Sequence, residues 1–211
     1  MKKYLRFIIY FIGIVILSLG LILNTKSGMG VSPIISVAYS VSEIFNLDFG
    51  NITLILYSAF IAVELILNNK NRMLTVLQLP FSIVFTRLLN MFNAKLPNLD
   101  NVSFAGRFLV LILAIILTGI GAATVLSMKV VPNPPDGLVQ SVAEKLNKTV
   151  GNVKNIFDLI CLIITCTLGF VLCGKIIGIG VGTVCAMLGV GRVIAVYQKI
   201  MGPKLDKAIN V

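Results

Sequence analysis

Apolar residues run in blocks along this chain, and polar residues collect between the blocks. Long blocks cover residues 7–23, 52–67, 73–92, 108–128, 156–173 and 176–197. Each is about 20 residues, enough to cross a hydrocarbon layer of about 30 Å as an α-helix. Two shorter stretches, 34–45 and 136–146, each follow a proline. As helices they reach only about 20 Å, too little to cross. They also carry Ser36, Ser40, Ser42 and Glu43 in one case, and Gln140, Ser141, Glu144 and Lys145 in the other. Such a helix either dips in and returns or lies buried as a half-helix among full spans. The pattern predicts an all-α, polytopic helical membrane protein with about six full spans and two short Pro-initiated helices.

The blocks also repeat. Slid against itself, the chain matches without gaps at an offset of 101, so that Arg6 falls on Arg107. Of 47 positions from Arg6 to Ile52, 11 are identical to their partners, among them Gly20/Gly121, Pro33/Pro134, Ser40/Ser141, Glu43/Glu144, Asn46/Asn147, Gly50/Gly151 and Asn51/Asn152. Shared apolar composition explains a coincident Phe or Ile but not Pro, Glu, Asn and Gly-Asn in one register. We read a first membrane repeat over 1–100 and a second over 101–211, forming one integrated membrane domain. Each has a long span, a Pro-led short helix, a Gly-Asn entry and two further spans.

The short helices decide the topology. If they re-enter, each half has three spans and the halves insert in opposite senses; if they cross, each has four and the halves are parallel. Their length favours the inverted arrangement. Sorting Lys and Arg outside the spans separates the two models by a single residue. Both models put the two termini in the cytoplasm.

Composition then narrows the class. Apolar residues make up 57% of the chain and charged residues 12%, with a mean hydropathy of +1.00. The net charge is +10, but the basic residues lie mainly between apolar blocks, where they orient spans and meet anionic headgroups. Nucleic acid is not an expected partner, because that would need a basic soluble face with aromatics to stack on. Lys2, Lys3 and Arg6 before the first block resemble a signal sequence, but Asn24-Thr25-Lys26-Ser27 offers no small-x-small cleavage site. An uncleaved first span is expected. Cys161, Cys166, Cys173 and Cys185 lie inside apolar blocks without C-x-x-C spacing, and the chain has no His. No metal site and no cofactor is expected.

Three motifs carry a family resemblance. Gly28-Met29-Gly30-Val31-Ser32-Pro33 resembles a G-x-G-x-S-P signature, and Pro134-Pro135-Asp136-Gly137-Leu138 a P-x-D-G-L box. Gly178, Gly180 and Gly182-Thr183-Val184 resemble a third. Together they resemble the YczE/YyaS/YitT family of bacterial integral membrane proteins, its YczE-like branch in particular. The first box departs from the pattern in having Ile34-Ile35 after Ser-Pro, where an aromatic-acidic pair often stands. The resemblance implies a bacterial cytoplasmic membrane scaffold and leaves the substrate open.

Candidate chemistry is sparse. Ser32 and Asn133 precede the two prolines at matching positions. Asp136 is either a first-turn acid that stabilises exposed amides or a solute contact at a half-helix terminus. Asp158 lies within its span, where a carboxylate should face a partner or a wet cavity. Arg87 and Arg192 lie in the last span of each half; they form either a structural ion pair, such as Arg192 with Asp158, or a cationic floor for an anionic or zwitterionic solute. Glu64, beside Asn68, Asn69 and Lys70, is expected at the interface. The Gly178–Gly182 spacing lacks a preceding strand and a following G-K-S/T, so it reads as G-x-x-x-G close packing rather than a nucleotide loop.

The leading expectation is a secondary transporter or facilitator of a small polar solute, with its site at the interface between repeats. The alternative is a non-transporting sensor, scaffold or subunit, acting as a homo-oligomer or with a membrane partner. An enzyme is not expected, since no nucleophile–base pair stands in recognisable spacing.

Overall fold

The computed structural model describes residues 2–67, 72–99 and 101–209. Among these residues it is all-α: α1 (Lys2–Lys26), α2 (Pro33–Phe45), α3 (Phe49–Leu67), α4 (Arg72–Lys95), α5 (Phe104–Met128), α6 (Pro134–Leu146), α7 (Val150–Cys173) and α8 (Val181–Ile209). Six are long and apolar enough to cross a membrane; α2 and α6, of 13 residues each, are not. The chain forms two compact units. Unit 1 holds Met1–Ser32, Met91–Val130 and Gly180–Val211, and unit 2 holds Pro33–Asn90 and Val131–Ile179.

Unit 1 is built on α1 and α5, with α8 packed mainly on α5. The two helices are repeat partners and run antiparallel. Arg6, at the start of α1, donates from Nε to the Met128 carbonyl and from Nη2 to the Lys129 carbonyl, at 2.7 Å for the second. Arg107, at the start of α5, donates to the Ser27 and Gly28 carbonyls at 2.8 and 2.9 Å. Positions 27 and 28 correspond to 128 and 129, so each helix start caps the other helix's end. The last carbonyls of a helix have no partner within it, and a guanidinium satisfies them while matching the negative end of the dipole.

Two glycines let the pair close. A Cβ on Gly20 would lie 2.5 Å from the Thr118 amide nitrogen, and one on Gly121 would lie 2.4 Å from that of Leu17. Position 17 corresponds to 118, so the contact is again exchanged between halves. This antiparallel exchange agrees with the inverted arrangement. Around it a small cluster of Met29, Leu111, Ile115 and Ala186 is buried. The Met29 carbonyl accepts from the Gly182 amide at 2.7 Å.

That contact corrects one boundary. The last span was expected from residue 176, but α8 begins at Val181. Gly174 and Gly178 take positive φ (66° and 81°), which turns the chain and keeps the segment out of the helix. The expected Gly178/Gly182 helix-packing pair is therefore not within one helix. Gly180 and Gly182 instead meet the Met29–Gly30 backbone.

Unit 2 holds α2, α3, α6, α7 and most of α4, with α2 against α7 and α3 against α6. Those two pairings are the same contact under exchange of halves. Matched residues also shape the helix ends. Asn46 and Asn147 both take φ 51° after the short helices, and Asp48 and Thr149 accept from the Asn51 and Asn152 amides. Asn tolerates this left-handed cap better than most residues do. Val139, Ala143 and Val153 form a buried cluster between α6 and α7.

The polarity of α3 and α4 is inside out. On α4, Thr75, Gln78, Ser82 and Thr86 are buried while Met73, Val76, Leu79 and Ile83 are exposed. On α3, Thr53, Tyr57 and Glu64 are buried while Ile55, Val63 and Ile66 are exposed. Apolar faces turned outward fit a surrounding hydrocarbon solvent.

Tight backbone contact makes a testable distinction. Gly20→Ala and Gly121→Ala should each lower stability by about 1–3 kcal/mol through overpacking. Gly151→Ala, where a Cβ meets nothing within 4 Å, should be neutral or raise stability by up to about 1 kcal/mol. Denaturation in detergent, followed by circular dichroism, measures all three; equal losses would refute the close approach.

Candidate functional site

Unit 2 gathers its polar chemistry around the first turn of α6. Pro134 and Pro135 open that helix, where a missing N–H costs nothing and a fixed φ is already helical. Asn133 holds the N-cap in extended conformation without a side-chain cap bond. Its side chain interacts electrostatically with Tyr57 of α3. Tyr57, only 1% exposed, is fixed by stacking on Phe85 with ring centres 5.9 Å apart.

Asp136 follows in the first turn of α6. Lys154 of α7 pairs with it, Nζ to Oδ1, at 3.4 Å, with both side chains half-buried. Asp158 lies one turn further along α7, is buried, and interacts electrostatically with both Lys154 and Asp136. Lys154 thus pairs with Asp136 and lies within electrostatic range of Asp158. The Lys-to-Asp order along α7 is the weaker one for an i, i+4 pair.

Glu64 approaches the same turn from α3. It is 4% exposed; Oε1 accepts from Thr75 Oγ1 at 3.0 Å and Oε2 from Gln78 Nε2 at 3.0 Å. Gly137 makes this possible, because a Cβ there would lie 2.6 Å from Glu64 Oε2 and 2.7 Å from Gln78 Nε2. A carboxylate beside the first turn of a helix is favoured by the dipole. Among the described residues Glu64 makes no ion pair.

Of the residues expected to form a site, the structure brings together Asn133, Asp136 and Asp158. Arg87 is exposed and donates to Asn51 Oδ1 at 3.1 Å. Ser32 and Arg192 belong to unit 1, the first half-buried and the second exposed on α8. The cation that acts electrostatically on Asp158 is Lys154, in its own unit. Glu64, expected at the interface from its place near the end of α3, is buried within the protein. The neighbouring Asn68, Asn69 and Lys70 lie outside the described residues.

Lys154, Thr75 and Gln78 were not singled out from the sequence. The signal was present: Lys154 stands four residues before Asp158, and Thr75, Gln78, Ser82 and Thr86 recur on one face of an otherwise apolar helix.

A family model described as a family of unknown function (DUF6198) matches residues 4–199. The chain belongs to that family. No curated protein and no solved structure matches it. The DUF6198 match covers unit 2, most of unit 1 and every residue of the α6 cluster.

The cluster predicts a measurable coupling. In a double-mutant cycle of Asp136→Asn and Lys154→Gln, the interaction should be about 0.5–1 kcal/mol, the range of a partly exposed pair. Unfolding free energies in detergent give the value; strictly additive losses would show that the pair does not form.

Proposed function

We propose that this protein is a secondary transporter or facilitator of a small polar solute, which binds at the first turn of α6 where residues of the two repeats meet inside unit 2. The observation that carries this reading is the set of groups around that turn. Asp136, Asp158 and Glu64 supply three carboxyls, Lys154 one ammonium, and Tyr57 and Asn133 a hydroxyl and an amide. Ionisable groups at membrane depth are costly, and in duplicated membrane proteins they mark solute and ion pathways beside broken helices. The acid excess favours a solute with positive charge or one moved with a cation. The YczE-like resemblance supports a cytoplasmic-membrane scaffold, and the Lys and Arg distribution supports cytoplasmic termini.

A second reading has one observation in its favour. Arg192 is exposed about eleven residues into α8, far from either end of that span, where a guanidinium calls for an acidic membrane partner. That would suit a subunit of a larger assembly.

Purified protein in liposomes, tested across a metabolite panel under proton and sodium gradients, separates the two. Transport predicts flux that falls about tenfold or more in Asp136→Asn and Asp158→Asn, the loss of one charge-assisted bond worth about 1.5–3 kcal/mol, and that survives in Gly151→Ala. If the folded protein moves no solute under any gradient, the transporter reading is wrong. Stoichiometric co-purification with an acidic membrane protein, and tolerance of Asp158→Asn, would favour the subunit.

A further inference from the structure

The two short helices meet matched positions in different ways, and the difference isolates one residue. Ser36, in the first turn of α2, shares a 2.7 Å hydrogen bond with Thr165 of α7. The corresponding positions are Gly137 and Glu64. Here the short helix gives up its side chain, and a carboxyl fills the space against α6. The neutral hydroxyl pair needs no ion; the carboxyl does not share that property.

Among the described residues no cation is ion-paired with Glu64. Its hydrogen-bond partners are Thr75 and Gln78, both 1% exposed and both uncharged. The titratable groups on the elements packed against α3 are Asp136, Glu144 and Lys145 on α6, and Tyr39 and Glu43 on α2; those on α4 are Arg72, Arg87 and Lys95. Asp136, Glu144, Lys145, Glu43, Arg87 and Lys95 are neither hydrogen-bonded nor ion-paired to Glu64. Asp136, next to Gly137, adds a second acid nearby and is already paired with Lys154. An ionised carboxylate shut into a membrane helix bundle without a cation is expensive, and the simplest ion that relieves it is one that needs no cavity.

Gln78 supplies the complementary observation. Its Oε1 is buried and has no hydrogen-bond partner, while Nε2 reaches Glu64. The two ends of an amide are interchangeable in shape. With Nε2 toward Glu64 the amide donates to a carboxylate; turned over, Oε1 at the same 3.0 Å contact accepts from a carboxylic acid. Thr75 can serve either state, since a hydroxyl both donates and accepts. The amide end that faces Glu64 can therefore match the carboxyl with and without a proton.

We propose that Glu64 is a proton-binding site, with Gln78 and Thr75 as its hydrogen-bond partners in both states. The proton enters from water and is held on one Glu64 oxygen as O–H donating to Gln78 Oε1; release returns it to water and the amide turns back. Its use as the coupling site for solute movement rests on the transporter reading, whereas proton binding itself does not.

Infrared difference spectroscopy of the protein in liposomes, titrated from alkaline to acid pH, reads the carboxyl directly. The expected result is a protonated-carboxyl C=O band that grows as pH falls, shifts in heavy water and is lost in Glu64→Gln. Gln78→Met, which removes one partner while keeping the carboxyl, should move the midpoint of that band. Asp136→Asn and Asp158→Asn should leave the band present. A titration identical in wild type and Glu64→Gln, or no titrating carboxyl band from folded wild-type protein, overturns the proposal. So does loss of the band on adding sodium at constant pH, which assigns the site to a metal cation. A Glu64 band without solute flux would sink transport and leave this site standing. Flux without the band would do the reverse.

Discussion

Arg6 and Arg107 each close the far end of the other's helix, and the two-fold plan of the chain depends on that exchange. In water a helix terminus can find its own partners. At the edge of a hydrocarbon layer the last carbonyls must be met by the protein, by headgroups or by trapped water. Here one antiparallel pair, α1 and α5, meets both needs with one residue type used twice. The exchange also places the pair in register, so that Gly20 lies on position 118 and Gly121 on position 17. With little hydrophobic force between helices in lipid, such backbone-to-backbone approach is a main source of association.

The same two-fold relation makes the differences between halves informative. Where matched contacts are structural, they are preserved in kind: asparagine caps at 46 and 147, side-chain caps at 48 and 149, prolines at 33 and 134. Where they diverge, the divergence is chemical. Ser36 with Thr165 is a neutral hydroxyl contact; Gly137 with Glu64 is a carboxyl laid on a helix start. Tyr57 corresponds to Asp158, and Thr53 to Lys154. A duplicated scaffold can hold one copy of a contact constant while the other acquires charge, because the exchanged partner carries the packing.

Much of this could be read in the chain, and what could not has physical causes. Length and apolarity located every long helix, and proline marked the starts of α2 and α6. The start of α8 was missed because Ile176, Ile177 and Ile179 look like span, although Gly174 and Gly178 turn the backbone away from helix. Glu64 was read by its distance from a span end, yet burial depends on the face it occupies. That face is shared with Thr53 and Tyr57, and opposite it stand Ile55, Val63 and Ile66. Lys154 was overlooked because a lysine near a span start usually reaches outward to headgroups; in this protein it turns to Asp136. Arg87 was expected in a site on depth alone, and Asn51 takes it up at the surface instead.

The inside-out pattern of α3 and α4 links the scaffold to its chemistry. A helix that turns Ile and Val outward and Thr, Gln, Ser, Tyr and Glu inward cannot gain from burying its inner face as a soluble helix does. What holds that face inward is the cost of exposing it to lipid, so its polar groups must satisfy one another. Most do: Ser82 donates to the Gln78 carbonyl, Thr75 and Gln78 to Glu64, and Thr53 to the Phe49 carbonyl. The exception is the Gln78 amide oxygen, beside a buried acid that makes no ion pair among the described residues. In a core assembled by mutual satisfaction, an orphan acceptor next to a buried acid is the expected signature of a group whose hydrogen bonding changes state.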